Sequence, residues 1–339
     1  MRVGIDARKI ADFGIGTYIR GLLRGLVELG TGDEYVALAP RDAKIPAGIE
    51  HVIIHAPHYS LRELFAVGRA ADRAKLDLFH APHYVVPFTR VPLVVTIHDL
   101  IHLHQPLRNP IAPLYARVML RRAVNKARCI LTVSETVKQQ LETELGAKRV
   151  VVTPNGVETQ LVRTTDNRQP TTAPTFLFLG NDKPHKNVDA LIEAFTLLRR
   201  DLPDARLVLA GASFERFAGR DGVERRGFVP DAELASLFTS ATALVMPSRE
   251  EGFGLPAAEA MACGTAVITS TAAALVEITG DAALHVDADD RAALADAMLR
   301  VARDPSLRAS LAAKGIARAS LFTWKRCAEA TRNAWTSVL

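Results

Sequence analysis

Residues 248–265 read Ser-Arg-Glu-Glu-Gly-Phe-Gly-Leu-Pro-Ala-Ala-Glu-Ala-Met-Ala-Cys-Gly-Thr, and the fold turns on this stretch. Before it, Ala243 to Pro247 is a short apolar run of the kind buried in a parallel sheet. Residues 251–254, Glu-Gly-Phe-Gly, predict a turn whose glycines let the backbone approach a ligand, and Leu255 to Cys263 predict a helix stopped by Gly264. Strand, glycine turn and helix in this order bring free amides and the positive end of a helix dipole to one place, which suits a phosphate. Glu259, about one turn inside the helix, can face the same crevice and accept hydrogen bonds from a ribose diol. Glu251, at the mouth of the turn, can accept from sugar hydroxyls. Two glutamates eight apart would otherwise be a helix cap and a solvated carboxylate; the strand-turn-helix setting is what argues for a ligand.

Working outward, short β-branched runs alternate with helical patterns along the whole chain, which predicts α/β architecture with parallel sheets. In the first half the expected strands are 2–6, 35–39, 51–55, 76–80, 93–97, 129–133 and 150–153, with helices at 16–29, 61–74, 113–126 and 135–145. A polar, threonine-rich segment from Arg163 to Pro174 loses periodicity and is the expected linker. Beyond it come strands at 175–179, 206–210, 223–226, 243–246, 266–269 and 282–285, and helices at 188–200, 231–239, 255–263 and 291–303. The expected domains are 1–165 and 166–321, with 322–339 a final amphipathic helix carrying Trp324 and Trp335. Doubly wound sheets bind ligands at the carboxyl ends of their strands, so the active site is expected in the cleft between the domains.

The 339 residues suffice for two full cores, and 48% hydrophobic with 23% charged content is that of a soluble globular protein. Cys129, Cys263 and Cys327 are odd in number and widely spaced, which supports neither a disulfide framework nor a zinc knuckle. With no leader-like segment and no apolar run long enough to span a bilayer, the expected location is the cytoplasm. A net charge of +5 favours anionic partners without choosing among them.

Several further motifs occur in order: Gly14-Ile-Gly16, Thr96-Ile-His-Asp99, Val133-Ser-Glu135, Pro154-Asn-Gly-Val157, the run Gly-Asn-Asp-Lys-Pro-His-Lys-Asn at 180–187, and Gly-Phe-Val-Pro-Asp at 227–231. Together with residues 248–265 they resemble the retaining, nucleotide-sugar-dependent glycosyltransferases of family four, and the resemblance spans nearly the whole chain. It implies the GT-B fold, two doubly wound Rossmann-like domains facing each other across a cleft, with the last helix crossing back to the first domain. It also implies roles. Glu259 binds the ribose, Glu251 the donor sugar, and Gly252, Phe253, Gly254 and Leu255 the sugar and diphosphate through their backbone. Main-chain contacts near Phe228 and Val229 read the base. Lys186 neutralises the leaving diphosphate, and His98 lies against the donor sugar. Where many relatives carry a second cation this chain has Asp182 and His185, so His185, Lys183 and Arg249 are the candidates for it. No cofactor is expected beyond the substrate nucleotide sugar, and no metal.

Residues 96–100 and 180–187 are most similar to bacterial surface-polysaccharide mannosyltransferases, which suggests transfer from GDP-mannose to a glycan or lipid-linked glycan. A UDP-sugar donor competes. So do an epimerase or phosphorylase of the same fold and a non-catalytic nucleotide-sugar-binding subunit.

Gly14 and Gly16 follow the first strand and open a helix, so their amides can face a phosphate or an acceptor. Position 19 is Ile and no acidic residue closes a second strand at the required distance, which argues against a dinucleotide-binding dehydrogenase. Among the ten histidines, the clusters at 51, 55 and 58, at 80 and 83, and at 98, 102 and 104 lack any H-E-x-x-H and any paired cysteine, so packing and turn roles are expected. Asp287-Ala-Asp289 precedes a helix and is read as a cap. Segment 108–128 holds Arg108, Arg117, Arg121, Arg122, Lys126 and Arg128 and no acidic residue. It fits either a peripheral contact with an anionic membrane surface, at the inner face of the cell membrane, or a solvated basic face over a buried stripe. No nucleic-acid partner is expected.

Overall fold

The computed structural model describes residues 1–56, 60–104, 111–158 and 173–339. His58, Arg108 and most of the expected linker therefore lie outside the described residues. The chain divides into two compact units, Met1–Gly156 with Thr323–Leu339, and Val157–Phe322.

The first unit contains β1 (Arg2–Asp6), α1 (Ile15–Leu29), β2 (Glu34–Ala39), β3 (Glu50–Ile53), α2 (Leu61–Arg73), β4 (Leu78–Ala81) and β5 (Leu93–Ile97). It continues with α3 (Ile101–His104), α4 (Ile111–Lys126), β6 (Cys129–Thr132), α5 (Glu135–Leu145) and β7 (Val150–Val152). Its seven strands lie in the order β3-β2-β1-β4-β5-β6-β7, all pairs parallel. Strands of an all-parallel sheet are covered on both faces, which is why Val3, Ile5 and Val94 are buried on one face and Val36, Leu38 and Val95 on the other.

The second unit contains β8 (Thr175–Asn181), α6 (Val188–Leu198), β9 (Arg206–Ala212), β10 (Val223–Arg225), α7 (Asp231–Ser240), β11 (Ala243–Met246) and α8 (Leu255–Ala262). After these come β12 (Ala266–Ser270), α9 (Ala273–Thr279), β13 (Ala283–Val286), α10 (Arg291–Arg303) and α11 (Pro305–Ala319). The strand order β10-β9-β8-β11-β12-β13 is the doubly wound order that reverses between its first and fourth strands. The loops leaving β8 and β11 therefore start side by side. That adjacency brings residue 186 to residue 251. Strands β8 and β9 can pair as far as Asn181 and Ala212 because Gly180 sits beside Gly211, where a Cβ would lie 1.8 Å from the Gly180 carbonyl oxygen.

The final helix, α12 (Trp324–Thr336), packs on α1 within the first unit. Glycines make the approach possible: a Cβ on Gly21 would stand 2.1 Å from the Trp324 ring, and one on Gly25 would stand 2.4 Å from the Trp324 carbonyl oxygen. Asp33 holds this end of the molecule, accepting from the N-terminal ammonium at 2.9 Å and from Arg332 Nε at 2.6 Å.

The sequence pattern does not anticipate α3, α9 or α11, and it runs α6 two residues too far. For α11 the signal was present, since Asp304 accepts from the Leu307 amide at 2.9 Å and Pro305 opens the helix, the usual start chemistry.

Candidate active site

Lys186 is set by a turn. Residues Pro184–Lys186 form one 3-10 turn after β8, and Asn187 follows at φ 56, ψ 39, a left-handed conformation that asparagine tolerates better than most residues. The Asn187 side-chain Nδ2 then donates to the Pro247 carbonyl at 3.2 Å and to the Ala288 carbonyl at 2.6 Å. The Arg249 backbone N–H donates to the His185 carbonyl at 2.7 Å, and Ser270 Oγ donates to the Ser248 carbonyl. Loops leaving β8, β11, β12 and β13 are thereby tied together at the carboxyl edge of the sheet, next to its topological switch.

Within that tie, Lys186 Nζ donates to both oxygens of Glu251, at 2.7 and 3.0 Å. The side chains are 17% and 9% exposed, so the pair is shielded from water without being sealed. Three residues on, Gly254 precedes α8 with φ 89, and a Cβ there would stand 2.5 Å from Leu275 Cδ2. Both conditions demand glycine. Pro256 has no N–H, and the Ala257 and Ala258 amides turn back to the Gly254 carbonyl at 2.9 and 3.3 Å. Donors for an anion at this helix start must therefore come from residues 252–255. Glu259 is buried in α8, and the neighbouring Cys263 thiol is pushed up to about 12 by its own burial and, secondarily, by the Glu259 charge.

The other predicted residues of this unit divide by exposure. Phe253 is buried edge-on against Phe322 at 5.4 Å, so it is held by its ring and offers a ligand its backbone. Val229 and His185 are buried, and Phe228 is exposed. Gly252 lies in the turn before α8, and Leu255 is the first residue of that helix. Of the two other cation candidates, Lys183 is exposed and Arg249 lies against the 184–186 turn, with Nη2 2.5 Å from Asp289. Asp182 is engaged by Arg216, which also reaches Asp189 at 2.5 Å. Arg216 was not singled out from the sequence because it reaches Asp182 from the loop after β9. The Asp287-Ala-Asp289 reading needs a correction of one residue: Asp290 caps α10 by accepting from the Ala293 amide at 2.8 Å, while Asp287 accepts from the Asp289 amide.

In the first unit, His98 follows β5. Its Nε2 lies 3.2 Å from the Pro82 carbonyl, which fixes Nε2 as the protonated nitrogen, and Tyr18 stands edge-on at 4.7 Å. Burial lowers its pKa, partly offset by Asp99 and by the Pro82 carbonyl. Asp99 accepts from the Ile101 amide at 3.1 Å and so starts α3. Gly14 precedes α1 at φ 58 with open space around it, whereas a Cβ on Gly16 would stand 2.6 Å from the Ile10 carbonyl oxygen, so Gly16 is required by packing.

Two networks in this unit escaped the sequence reading. Arg8 clasps Asp6 in bidentate fashion, at 2.8 and 2.7 Å, and reaches Glu63 at 2.7 Å, all three buried at the end of β1. The Asp6 and Arg8 pair, two apart at a strand end, was the available signal. Behind His98, the Thr96 hydroxyl lies 2.7 Å from His80 Nε2 and 3.0 Å from Tyr18 Oη. Cys129, Cys263 and Cys327 are free and buried. Among the described residues no helix is long and apolar enough to cross a membrane, and no group of three His, Cys, Asp or Glu is placed to hold a metal.

Comparison with known proteins places this geometry in a family. Residues 14–161 match the family model described as Glycosyltransferase Family 4, and residues 163–318 match Glycosyl transferases group 1. An O-antigen chain mannosyltransferase B of Escherichia coli is 30% identical over 283 residues, covering 76% of this chain and 74% of the relative. A D-inositol 3-phosphate glycosyltransferase of Pseudarthrobacter chlorophenolicus is 28% identical over 95% of this chain and 90% of its own length. Among solved structures, a sucrose-phosphate synthase of Thermosynechococcus elongatus superposes with TM-score 0.85 over 100% of this chain and 99% of that one at 20% identity, a likeness of fold. The chain belongs to the group 1, family four glycosyltransferases, and its two Rossmann-like parallel sheets are those of the GT-B fold.

Proposed function

We propose that this enzyme transfers mannose from GDP-mannose, with retention of anomeric configuration and without a metal, to a hydroxyl of a glycan or lipid-linked glycan. The observation that carries the reading is the Lys186–Glu251 pair, held where the β8 and β11 loops meet and beside the glycine-led start of α8. A diphosphate arriving there would take the ammonium from Glu251 and add amides of residues 252–255, so the charge of the leaving group is met by protein groups. Glu251, released, accepts from the sugar hydroxyls, and Glu259 takes the ribose diol. Phe228 and Val229 contact the base through the main chain, and His185 serves near the diphosphate. In the first unit, His98 contacts the reacting sugar with its unprotonated Nδ1, and the Gly14 and Gly16 amides contribute to phosphate or acceptor binding. In the step itself the anomeric C–O bond to phosphate breaks and the acceptor oxygen bonds to the same face, its proton passing to the departing phosphate oxygen.

Mannose as the sugar rests on the O-antigen mannosyltransferase relative and on the 96–100 and 180–187 motifs. A UDP-sugar donor, the competing expectation from the sequence, sets the second arm of the test. The test is turnover with a panel of GDP- and UDP-sugars, anomeric configuration of the product read by NMR, and the same assay on Glu259→Ala. Retained product from GDP-mannose, with Glu259→Ala raising KM for the donor by about tenfold or more, the loss of one or two charged hydrogen bonds, supports the reading. Turnover only with a UDP-sugar, inverted product, donor binding without turnover, or an unchanged Glu259→Ala enzyme each overturns the corresponding part.

A further inference from the structure

Helix α2 turns Arg62, Phe65 and Arg69 to solvent at helical spacing. The loop after β4 lies directly on this helix, because Gly68 offers no side chain: a Cβ there would stand 1.8 Å from the Phe88 carbonyl oxygen. The Phe88 amide donates to the Leu64 carbonyl at 2.9 Å, and the Phe88 and Phe65 rings meet at 4.9 Å. From the other side, Arg122 of α4 lays its guanidinium 4.2 Å above the Phe88 ring and donates to the Val86 and Pro87 carbonyls. One and two turns back along α4, Val118 and Leu114 continue the same line. An apolar ridge results in which Phe65 is 51%, Phe88 47%, Val118 50% and Leu114 64% exposed.

Single exposed apolar side chains are ordinary on a protein surface, but four in a row on a rigid support are not. The flanks are basic: Arg62 and Arg69 on α2, Arg117 and Arg121 on α4, all exposed. The acidic side chains of α2 do not offset them. Glu63 is buried against Arg8, and Asp72 accepts from the Thr89 hydroxyl and the Arg90 amide. The basic run in the sequence thus divides into two kinds of residue. Arg122 is structural, with a pKa lowered by burial, while Arg117 and Arg121 remain exposed on the surface.

We propose that this face, made by α2, Phe88 and α4, seats the protein on an anionic lipid bilayer. The chemistry selects the occupant. Aliphatic Leu114 and Val118 gain nothing from a nucleic acid, whose backbone would use the arginines and whose bases would use only the phenyl rings. In a bilayer all four apolar tips enter the boundary between headgroups and acyl chains, while long arginine stems lie along the surface and keep their charge among lipid phosphates. Nothing in this inference depends on the donor site of the second unit.

The experiment is co-sedimentation of the full chain with vesicles of phosphatidylcholine containing or lacking 30 mol% phosphatidylglycerol, at low and at 0.5 M salt. Two double variants, Arg117→Glu/Arg121→Glu and Phe65→Ser/Leu114→Ser, are run beside it, their folding checked by thermal melting and their donor site by GDP binding. Binding to the anionic vesicles that falls at least tenfold in each variant, with melting and GDP affinity unchanged, is expected. The proposal is overturned if the wild-type chain stays in the supernatant, or if Phe65→Ser/Leu114→Ser binds as the wild type does. Preferential capture by a single-stranded oligonucleotide added as competitor would also overturn it.

Discussion

Replacing Glu251 by glutamine should make the protein bind a bare nucleoside diphosphate more tightly. In the free chain Lys186 is already satisfied by a carboxylate at 2.7 and 3.0 Å, in a site only 17% and 9% exposed. In the proposed site an incoming diphosphate has to displace that internal anion. At an effective dielectric near 20, two unit charges ~4 Å apart attract by about 4 kcal/mol. A charge-assisted hydrogen bond contributes about 1.5–3 kcal/mol net. Glutamine keeps an acceptor oxygen and removes the charge, so the lower end of that range applies, and 1.4 kcal/mol is one decade of affinity. Glu251→Gln should therefore tighten GDP or UDP by about tenfold. The intact donor should gain less, or lose, because the carboxylate proposed to accept from its sugar is gone. Isothermal titration of the wild type and of Glu251→Gln with nucleotide and with nucleotide sugar measures the difference directly. Equal or weaker nucleoside diphosphate binding by Glu251→Gln would refute the exchange.

Other outcomes follow from the same geometry. Lys186→Ala should lower turnover by about 10²–10³, the scale of removing one preorganised donor to a developing anion, with donor KM changing less. Gly254→Ala meets both a φ of 89 and a Cβ 2.5 Å from Leu275 Cδ2, and should cost about 2–4 kcal/mol in urea unfolding; a loss under 1 kcal/mol would show the turn to be tolerant. His80, fully buried, has its pKa pushed down to about 3 by burial and by the charge of His98. Its neutral form is favoured in the folded state, so the stability it confers is complete above the unfolded value near 6.5 and is lost as pH falls toward 3, by up to about 1.4 kcal/mol per pH unit. Urea midpoints at pH 7.5 and 5.5 should differ accordingly, and His80→Asn should flatten that dependence; an unchanged slope would contradict the assignment.

Much of the fold is visible in the sequence because parallel strands buried on both faces read as short apolar runs, as Leu93 to Ile97 and Ala243 to Met246 do. Helix starts with a side-chain cap, such as Ser134 before Glu135, are equally plain. Among the helices the pattern does not anticipate, α9, Ala273–Thr279, lacks that contrast, being short and without a side-chain cap, whereas α11 carries its cap at Asp304. What the sequence withholds is adjacency. The glutamate of the 248–265 run and the lysine of the 180–187 run are 65 positions apart, and only the strand order that sets β8 beside β11 makes them one ion pair. Arg8 with Glu63, and Arg216 with Asp182, are hidden for the same reason. Arg122 shows the opposite failure, since a basic residue in a basic run looks solvated until its carbonyl partners are seen.

The most direct measurement of the proposed donor site is a crystal structure with GDP bound. Lys186 Nζ should have left Glu251 for a diphosphate oxygen, with amides of residues 252–255 on the same group and the Glu259 carboxylate on the ribose hydroxyls. A nucleotide bound elsewhere, or bound while Lys186 and Glu251 remain paired and Glu259 stays clear of the ribose, would contradict it.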